Sequence, residues 1–338
     1  MIPSLQTPFA IVGYAEPWWI QILKCLVIFF VGLQLVPVVL MMERKILGRF
    51  QNRYGPNRVG PFGVLTPVAD IVKLLTKESF RPRTAIGWLF TLAPILSIVA
   101  AVAALAIIPF GNVVDIAGTP VGLYGIDVTI GPLYVFALGA IAFYGVMLGG
   151  WSSGSKYSFL GSMRAAAQLI SYEVSQGLAL IGVIIMAGSM SFVDIVNAQD
   201  GLWYIVPQFV GFLVFLVATF AETNRPPFDL VEADAELVAG YNTEYGGGRF
   251  AVYYFAEYLN VVVASGIIAT VYLGGWQLPF IHTPDWAMPL VVLGKLVACI
   301  LFFVWVRATL PRLRYDQVMS LGWKVLLPLA MLNTLVTA

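Results

Sequence analysis

Eight long apolar stretches, at about 18–42, 84–110, 130–150, 165–189, 202–221, 250–273, 288–309 and 317–337, limit what this chain can fold into. Each is long enough to cross a hydrocarbon layer of about 30 Å as a helix. The runs are continuous rather than alternating, so they predict helices and not the strands of a barrel. The last is the weakest, because Lys324 interrupts its first turns. With 59% of its residues hydrophobic and 11% charged, the chain lies far from the roughly one-quarter charged composition of soluble domains. The expected fold is an all-α polytopic membrane protein, a single transmembrane domain over residues 1–338.

The connectors sort by charge. The first (43–83) carries Arg44, Lys45, Arg49, Arg53, Arg58, Lys73, Lys77, Arg81 and Arg83. The third carries Lys156 and Arg164, the fifth Arg225 and Arg249, and the seventh boundary Arg307, Arg312, Arg314 and Lys324. The second, fourth and sixth hold no Lys or Arg, only Asp115, Asp127, Asp194, Asp200 and Asp285. Of nineteen basic residues only Lys24 and Lys295 stand apart, both inside apolar segments. The positive-inside rule then places the odd connectors in the cytoplasm or matrix and both termini on the opposite side. A bacterial inner membrane, with periplasmic termini, is favoured over a mitochondrial one. Residues 1–16 lack a basic leader region, so a cleaved signal peptide is not expected. Lys24 can snorkel outward. Trp18, Trp19, Trp203, Trp276, Trp286 and Trp323 fall at segment ends, where interfacial anchors belong.

Several chemistries are excluded by what the chain lacks. Cys25 and Cys299 sit in separate apolar runs and His282 stands alone, so no disulfide, metal, haem or iron–sulfur site is expected. Gly246-Gly247-Gly248 is not followed by Lys-Ser/Thr and no strand precedes it, so it is not a phosphate loop. No nucleic acid is expected among the partners.

The informative charges are those a bilayer does not explain. Glu173 stands in the fourth segment, Glu257 in the sixth, Lys295 in the seventh and Glu222 at the end of the fifth. A charge at the bilayer centre costs about 2.5–3.5 kcal/mol on insertion scales. Each is either an ion pair that fixes helix packing or a group that exchanges protons. The fifth connector (222–249) adds Asp229, Glu232, Asp234, Glu236 and Glu244 among Leu230, Val231, Leu237 and Val238, which reads as a half-buried acidic network or else a solvated acidic loop. A helix over 231–239 would set Glu232 and Glu236 one turn apart. Pro226 and Pro227 end the fifth segment, and Arg225 can pair with Asp229 or Glu222 across the turn.

The first connector has the complementary sign. Residues 62–78 read as an amphipathic helix, with Leu65, Val68, Ile71, Val72 and Leu75 on one face and Thr66, Asp70, Lys73 and Lys77 on the other. It would either lie on headgroups or seal the mouth of a cavity. Beside it, Gly55-Pro56-Asn57-Arg58-Val59-Gly60-Pro61 imposes a fixed irregular backbone. These bases fit anionic lipid. They equally fit the polar head of an apolar-walled pocket for a lipid-soluble ligand bearing carbonyl oxygens.

These stretches resemble one family over nearly the whole chain. They are Met42-Glu43-Arg44-Lys45, the run Tyr54 to Gly63, and Arg164-Ala165-Ala166-Ala167-Gln168-Leu169-Ile170-Ser171-Tyr172-Glu173. With them go Ala221-Glu222-Thr223-Asn224-Arg225-Pro226-Pro227-Phe228-Asp229-Leu230, then Ala239 to Tyr245, Arg307 to Arg312, and Tyr315-Asp316-Gln317. The family is the H subunit of proton-translocating NADH:quinone oxidoreductase, respiratory complex I, the homologue of mitochondrial NADH dehydrogenase subunit one. The resemblance implies a place at the heel of the membrane arm, forming much of the quinone entry passage. Glu43, Arg44, Arg53, Arg58, Asp70 and Lys73 would line or border that passage, with Arg307 and Arg312 near it. Glu173, Glu222, Glu232, Asp234, Glu236 and Glu257 would carry protons into the membrane. The family often has Glu at the place of Asp234, and the third segment here offers no acid, only Tyr144. Quinone would be the substrate, ubiquinone before menaquinone, with FMN and iron–sulfur clusters in partner subunits of both arms. The membrane subunit of an energy-converting hydrogenase is the related alternative. An ion-coupled secondary transporter is a third, but the chain lacks the two related halves such proteins show.

Overall fold

The computed structural model describes residues 17–116, 119–231, 238–281 and 283–338. These are mostly helical. Helix α1 (Trp18–Phe50) continues past its expected end, carrying Glu43, Arg44 and Lys45 on regular helix, and stops where Asn52 takes a left-handed conformation at φ 53°. A short α2 (Thr66–Thr76) follows, then α3 (Gly87–Leu105), α4 (Gly131–Ser152) and α5 (Lys156–Ala187). Helix α5 begins well before the expected 165 and ends at Gly188, whose φ of 68° lets its N–H bond the Ile184 carbonyl. The chain goes on through α6 (Phe192–Asn197), α7 (Phe209–Glu222), α8 (Gly247–Val271) and α9 (Met288–Thr309). The last helix, α10 (Tyr315–Thr337), holds a π-helical turn at Gly322–Leu326.

Among the described residues, seven helices are long and apolar enough to cross a membrane: α1, α3, α4, α5, α8, α9 and α10. The apolar stretch expected at 202–221 is divided. Its first residues wind into turns, with Gln208 N–H bonding the Tyr204 carbonyl, and only Phe209–Glu222 is regular helix. Fourteen residues span about 21 Å. A second difference is a small hairpin in the 106–130 connector, where β1 (Val113–Ile116) pairs antiparallel with β2 (Thr119–Gly122).

Helix α8 is the axis of the bundle. Every residue from Val261 to Val271 is buried, and α1, α2, α3, α6 and α9 pack around it. Helices α3 and α4 approach closely because Gly145 faces Ala93 and Ser97; a Cβ there would stand 2.9 Å from the Ala93 carbonyl oxygen. On the outside of the bundle, Ile22, Leu23, Leu26, Phe30, Val99, Ile141 and Leu335 are exposed, as an apolar solvent requires. The tryptophans divide. Trp19, Trp286 and Trp323 are at least half exposed, but Trp276 is 2% exposed and packs on Val193, Val196 and Val292. It is core, not an anchor, because the 273–277 turn folds inward over α6.

Candidate functional site

Three cavities line up along α8, and charged side chains join them. The first lies between α1, α2 and α8 and has a volume of about 280 Å³. Arg44 of α1 forms an ion pair with Asp70 of α2 at its edge, and Lys73, Tyr254 and Phe255 complete the wall. Pro67, Asp70, Ile71 and Leu74, at helical spacing, line this cavity. Val68, Val72 and Leu75 of α2, with Leu65 before it, are all at least half exposed. The apolar side of α2 therefore points away from the protein, and its inner side is mixed.

The second cavity, of about 20 Å³, lies one turn further along α8 and is lined by Glu43, Arg225, Tyr258 and Arg307. The hydroxyls of Tyr254 and Tyr258 are hydrogen-bonded at 3.1 Å. The Arg225 guanidinium stacks 4.2 Å from the centre of the Tyr258 ring. It lies 3.6 Å from Glu257 Oε1 and 4.0 Å from Glu43 Oε1. Glu43 also accepts a hydrogen bond from Arg307 of α9. Burial presses Arg225 toward losing its proton, but Glu257, Tyr258 and Glu43 outweigh it and hold the cation well above its ordinary value.

Local sequence fixes Arg225 in place. Asn224 adopts φ 51°, turning the chain sharply after α7, and the Pro226–Pro227 peptide is cis. The buried Gln168 amide donates to the carbonyls of Ala221 and Phe228 at 2.7 and 2.8 Å, clasping both ends of the turn. Leu313 N–H bonds the Pro227 carbonyl from the other side.

The third cavity, of about 100 Å³, lies among α3, α4, α5, α7 and α8. Glu173, Glu222 and Glu257 all line it, from three different helices. Gln176, one turn from Glu173, donates its amide to Glu222 Oε2 at 2.8 Å. Asn260, three residues after Glu257, and Asn224 add polar lining, and Asn224 Oδ1 is buried without a hydrogen-bond partner. Helix α4 offers this cavity only apolar side chains and Gly139; Tyr144 is 54% exposed and does not line it.

Two of the three cavities thus share acids with one Arg. Of the residues picked out in the sequence, Glu43, Arg225, Glu257 and Arg307 meet in one cluster, Glu173, Glu222 and Glu257 in one cavity, and Arg44, Asp70 and Lys73 around another. Arg53 and Arg58 lie exposed on the loop after α1. Arg312 is half-buried, with one guanidinium nitrogen lacking a hydrogen-bond partner. Glu232, Asp234 and Glu236, with the helix expected at 231–239, lie outside the described residues. Tyr254, Tyr258, Gln176, Asn224 and Asn260 escaped the sequence reading. Two carried a signal, since Gln176 and Asn260 each stand three residues after a membrane acid.

Titratable side chains enclosed in a bundle of membrane-length apolar helices mark a class, the multi-pass membrane proteins whose enclosed charges serve a function. Comparison narrows this. Residues 23–338 match the family described as NADH dehydrogenase, and the chain belongs to that family. A protein of Geobacter sulfurreducens, named as the second NADH-quinone oxidoreductase H subunit of that organism, is 52% identical over 93% of this chain and 94% of its own length. The NADH-quinone oxidoreductase H subunit of Rhodospirillum rubrum is 47% identical over 96% and 95%. That of Thermomicrobium roseum is 47% identical over 92% and 94%. The resemblance drawn from the sequence motifs is borne out.

Proposed function

We propose that this chain is the membrane subunit of a proton-translocating NADH:quinone oxidoreductase, forming part of the quinone passage and coupling quinone reduction to proton movement. One observation carries the reading. A polar line runs from the Arg44–Asp70 pair through Tyr254, Tyr258 and Arg225 to Glu257 and the cavity of Glu222 and Glu173. Enclosed charges are costly in hydrocarbon, and a continuous line of them supports a path along which charge passes.

In this reading the cavity beneath α2 borders the quinone passage, with Glu43, Arg44, Arg53, Arg58, Asp70, Lys73, Arg307 and Arg312 at its polar end. Arg and Lys donate to quinone oxygens and gain from their negative charge on reduction. Ubiquinone is favoured over menaquinone. Glu173, Glu222 and Glu257, with Glu232, Asp234 and Glu236, carry protons. Electrons come from FMN and iron–sulfur clusters in partner subunits. Negative charge arriving near the basic end draws on the cations around Glu43, and Arg225, shared between Glu43 and Glu257, passes the change to the membrane acids. The short α7 with its preceding turns crosses as an eighth span. Helix α2 lies along the interface with Val68, Val72 and Leu75 toward lipid. The basic connectors face the cytoplasm of a bacterial cell, and both termini face the periplasm.

The test is Glu222→Gln in the whole complex. It keeps the volume of the side chain and removes the exchangeable proton. Assembly stays intact, and NADH-driven quinone reduction coupled to pumping slows by roughly tenfold or more. Unchanged coupled turnover in the assembled variant would refute the relay.

A further inference from the structure

Lys295 is a charge in an apolar helix that the proposed relay does not use, and its surroundings form a site of their own. Its ammonium donates to the carbonyl oxygens of Leu273, Gly275 and Gln277 at 2.6, 2.7 and 2.6 Å. The face of Trp203 covers it at 4.4 Å from the ring centre. The same Trp203 donates its indole N–H to the Gln277 carbonyl at 3.2 Å. The turn is wound for this purpose: Gly274 and Gly275 take φ values of 71° and 49°, a conformation open to glycine. Alternate carbonyls at 273, 275 and 277 are thereby brought to one point. Three carbonyls match the three N–H bonds of an ammonium, and an indole face favours a cation over a neutral group.

We propose that the 273–277 turn and Trp203 form a binding site for a small primary ammonium ion, filled in this chain by the tethered Lys295. Among the described residues, every hydrogen bond that Lys295 makes goes to a neutral backbone oxygen, so the site is selective for the shape of the cation and does not depend on an opposing acid there. The turn directly follows α8, whose other half carries Tyr254, Glu257 and Tyr258. Lys295, from α9, therefore closes the far end of the helix that holds the charged cluster.

The experiment is Lys295→Met in the intact complex. The substitution keeps the apolar stem and empties the cage. The thermal midpoint for loss of this subunit from the complex falls by several degrees. Methylammonium chloride restores part of the loss, and tetramethylammonium chloride at equal ionic strength restores none, because it has no N–H to donate. If the variant does not assemble, methylammonium supplied during expression recovers assembly where tetramethylammonium does not. Lys295→Arg is the second arm. It assembles but is less stable than the parent, since a planar fork cannot direct three N–H groups to three converging oxygens. A Lys295→Met complex as stable as the parent, equal rescue by both salts, or rescue by neither would overturn the proposal.

Discussion

Removing Arg225 is the sharpest perturbation of the charged axis. At 3.6 Å from Glu257 and 4.0 Å from Glu43, each attraction is worth about 4–5 kcal/mol at an effective dielectric of about 20. Stacking on Tyr258 adds about 2 kcal/mol. The charge pairs therefore dominate. Glu43 keeps Arg307 when Arg225 is lost, so the damage falls on Glu257, left without its guanidinium. Stranding one partner of a buried pair costs about 3–5 kcal/mol. Arg225→Met is expected to destabilise the subunit by that amount and to cut coupled quinone reduction by about tenfold or more. Adding Glu257→Gln removes the stranded charge and should recover about 1–3 kcal/mol. The assay is thermal dissociation of the purified complex for the two single variants and the double, with NADH-driven proton uptake in proteoliposomes alongside. Strictly additive losses in the double variant would show that Arg225 and Glu257 do not act on each other, and the axis as drawn would be wrong.

Two further outcomes follow from other parts of the bundle. Gly145→Ala places a methyl against Ser97 and the Ala93 carbonyl and should cost about 1–3 kcal/mol by forcing α3 from α4, read as reduced recovery of assembled complex; normal recovery and thermal stability would contradict the close approach. Asp127, in the connector from α3 to α4, is buried and accepts a 2.7 Å hydrogen bond from Ser191. Burial raises its proton affinity above the ordinary Asp range, the Asp194 charge adds to this, and the Ser191 bond opposes it. The native protein then holds this proton more tightly than the unfolded chain. Its contribution is complete below the ordinary Asp range and is lost as pH rises through the raised native value. Asp127→Asn, which keeps an acceptor for Ser191, should flatten that loss in a series of thermal midpoints against pH; an unchanged slope would remove Asp127 as its source.

Much of the architecture was legible because lipid imposes one rule on every span. Backbone groups must bond within the segment, so continuous apolar runs of sufficient length become helices, and α1, α3, α4, α5, α8, α9 and α10 appear where the runs stand. Boundaries were harder. Glu43-Arg44-Lys45 read as an ending, yet all three are good helix formers and nothing before Asn52 breaks the helix. The 202–221 run looked uniform, but Pro207 supplies no N–H and the regular helix begins only after it. Within the site, the membrane acids were found from their cost alone. Their partners were not, because Arg225 meets Glu43 and Glu257 from helices far apart in sequence. Local spacing offered only Asp229 and Glu222 and gave no sign of Glu43 or Glu257. Tyr254 and Tyr258 were hidden for a different reason: a tyrosine in an apolar helix looks like packing until its hydroxyl is seen to have a partner.

The outward apolar ridge of α2 has a practical consequence. A wall whose greasy side no other part of this chain covers depends on whatever surrounds the chain, lipid or a neighbouring subunit, to stay in place. Solubilisation is then expected to alter the width of the space beneath Arg44 and Asp70 well before it loosens the densely packed α8. Purified preparations in different detergents, or returned to nanodiscs, would sample different apertures while sharing the same intact bundle.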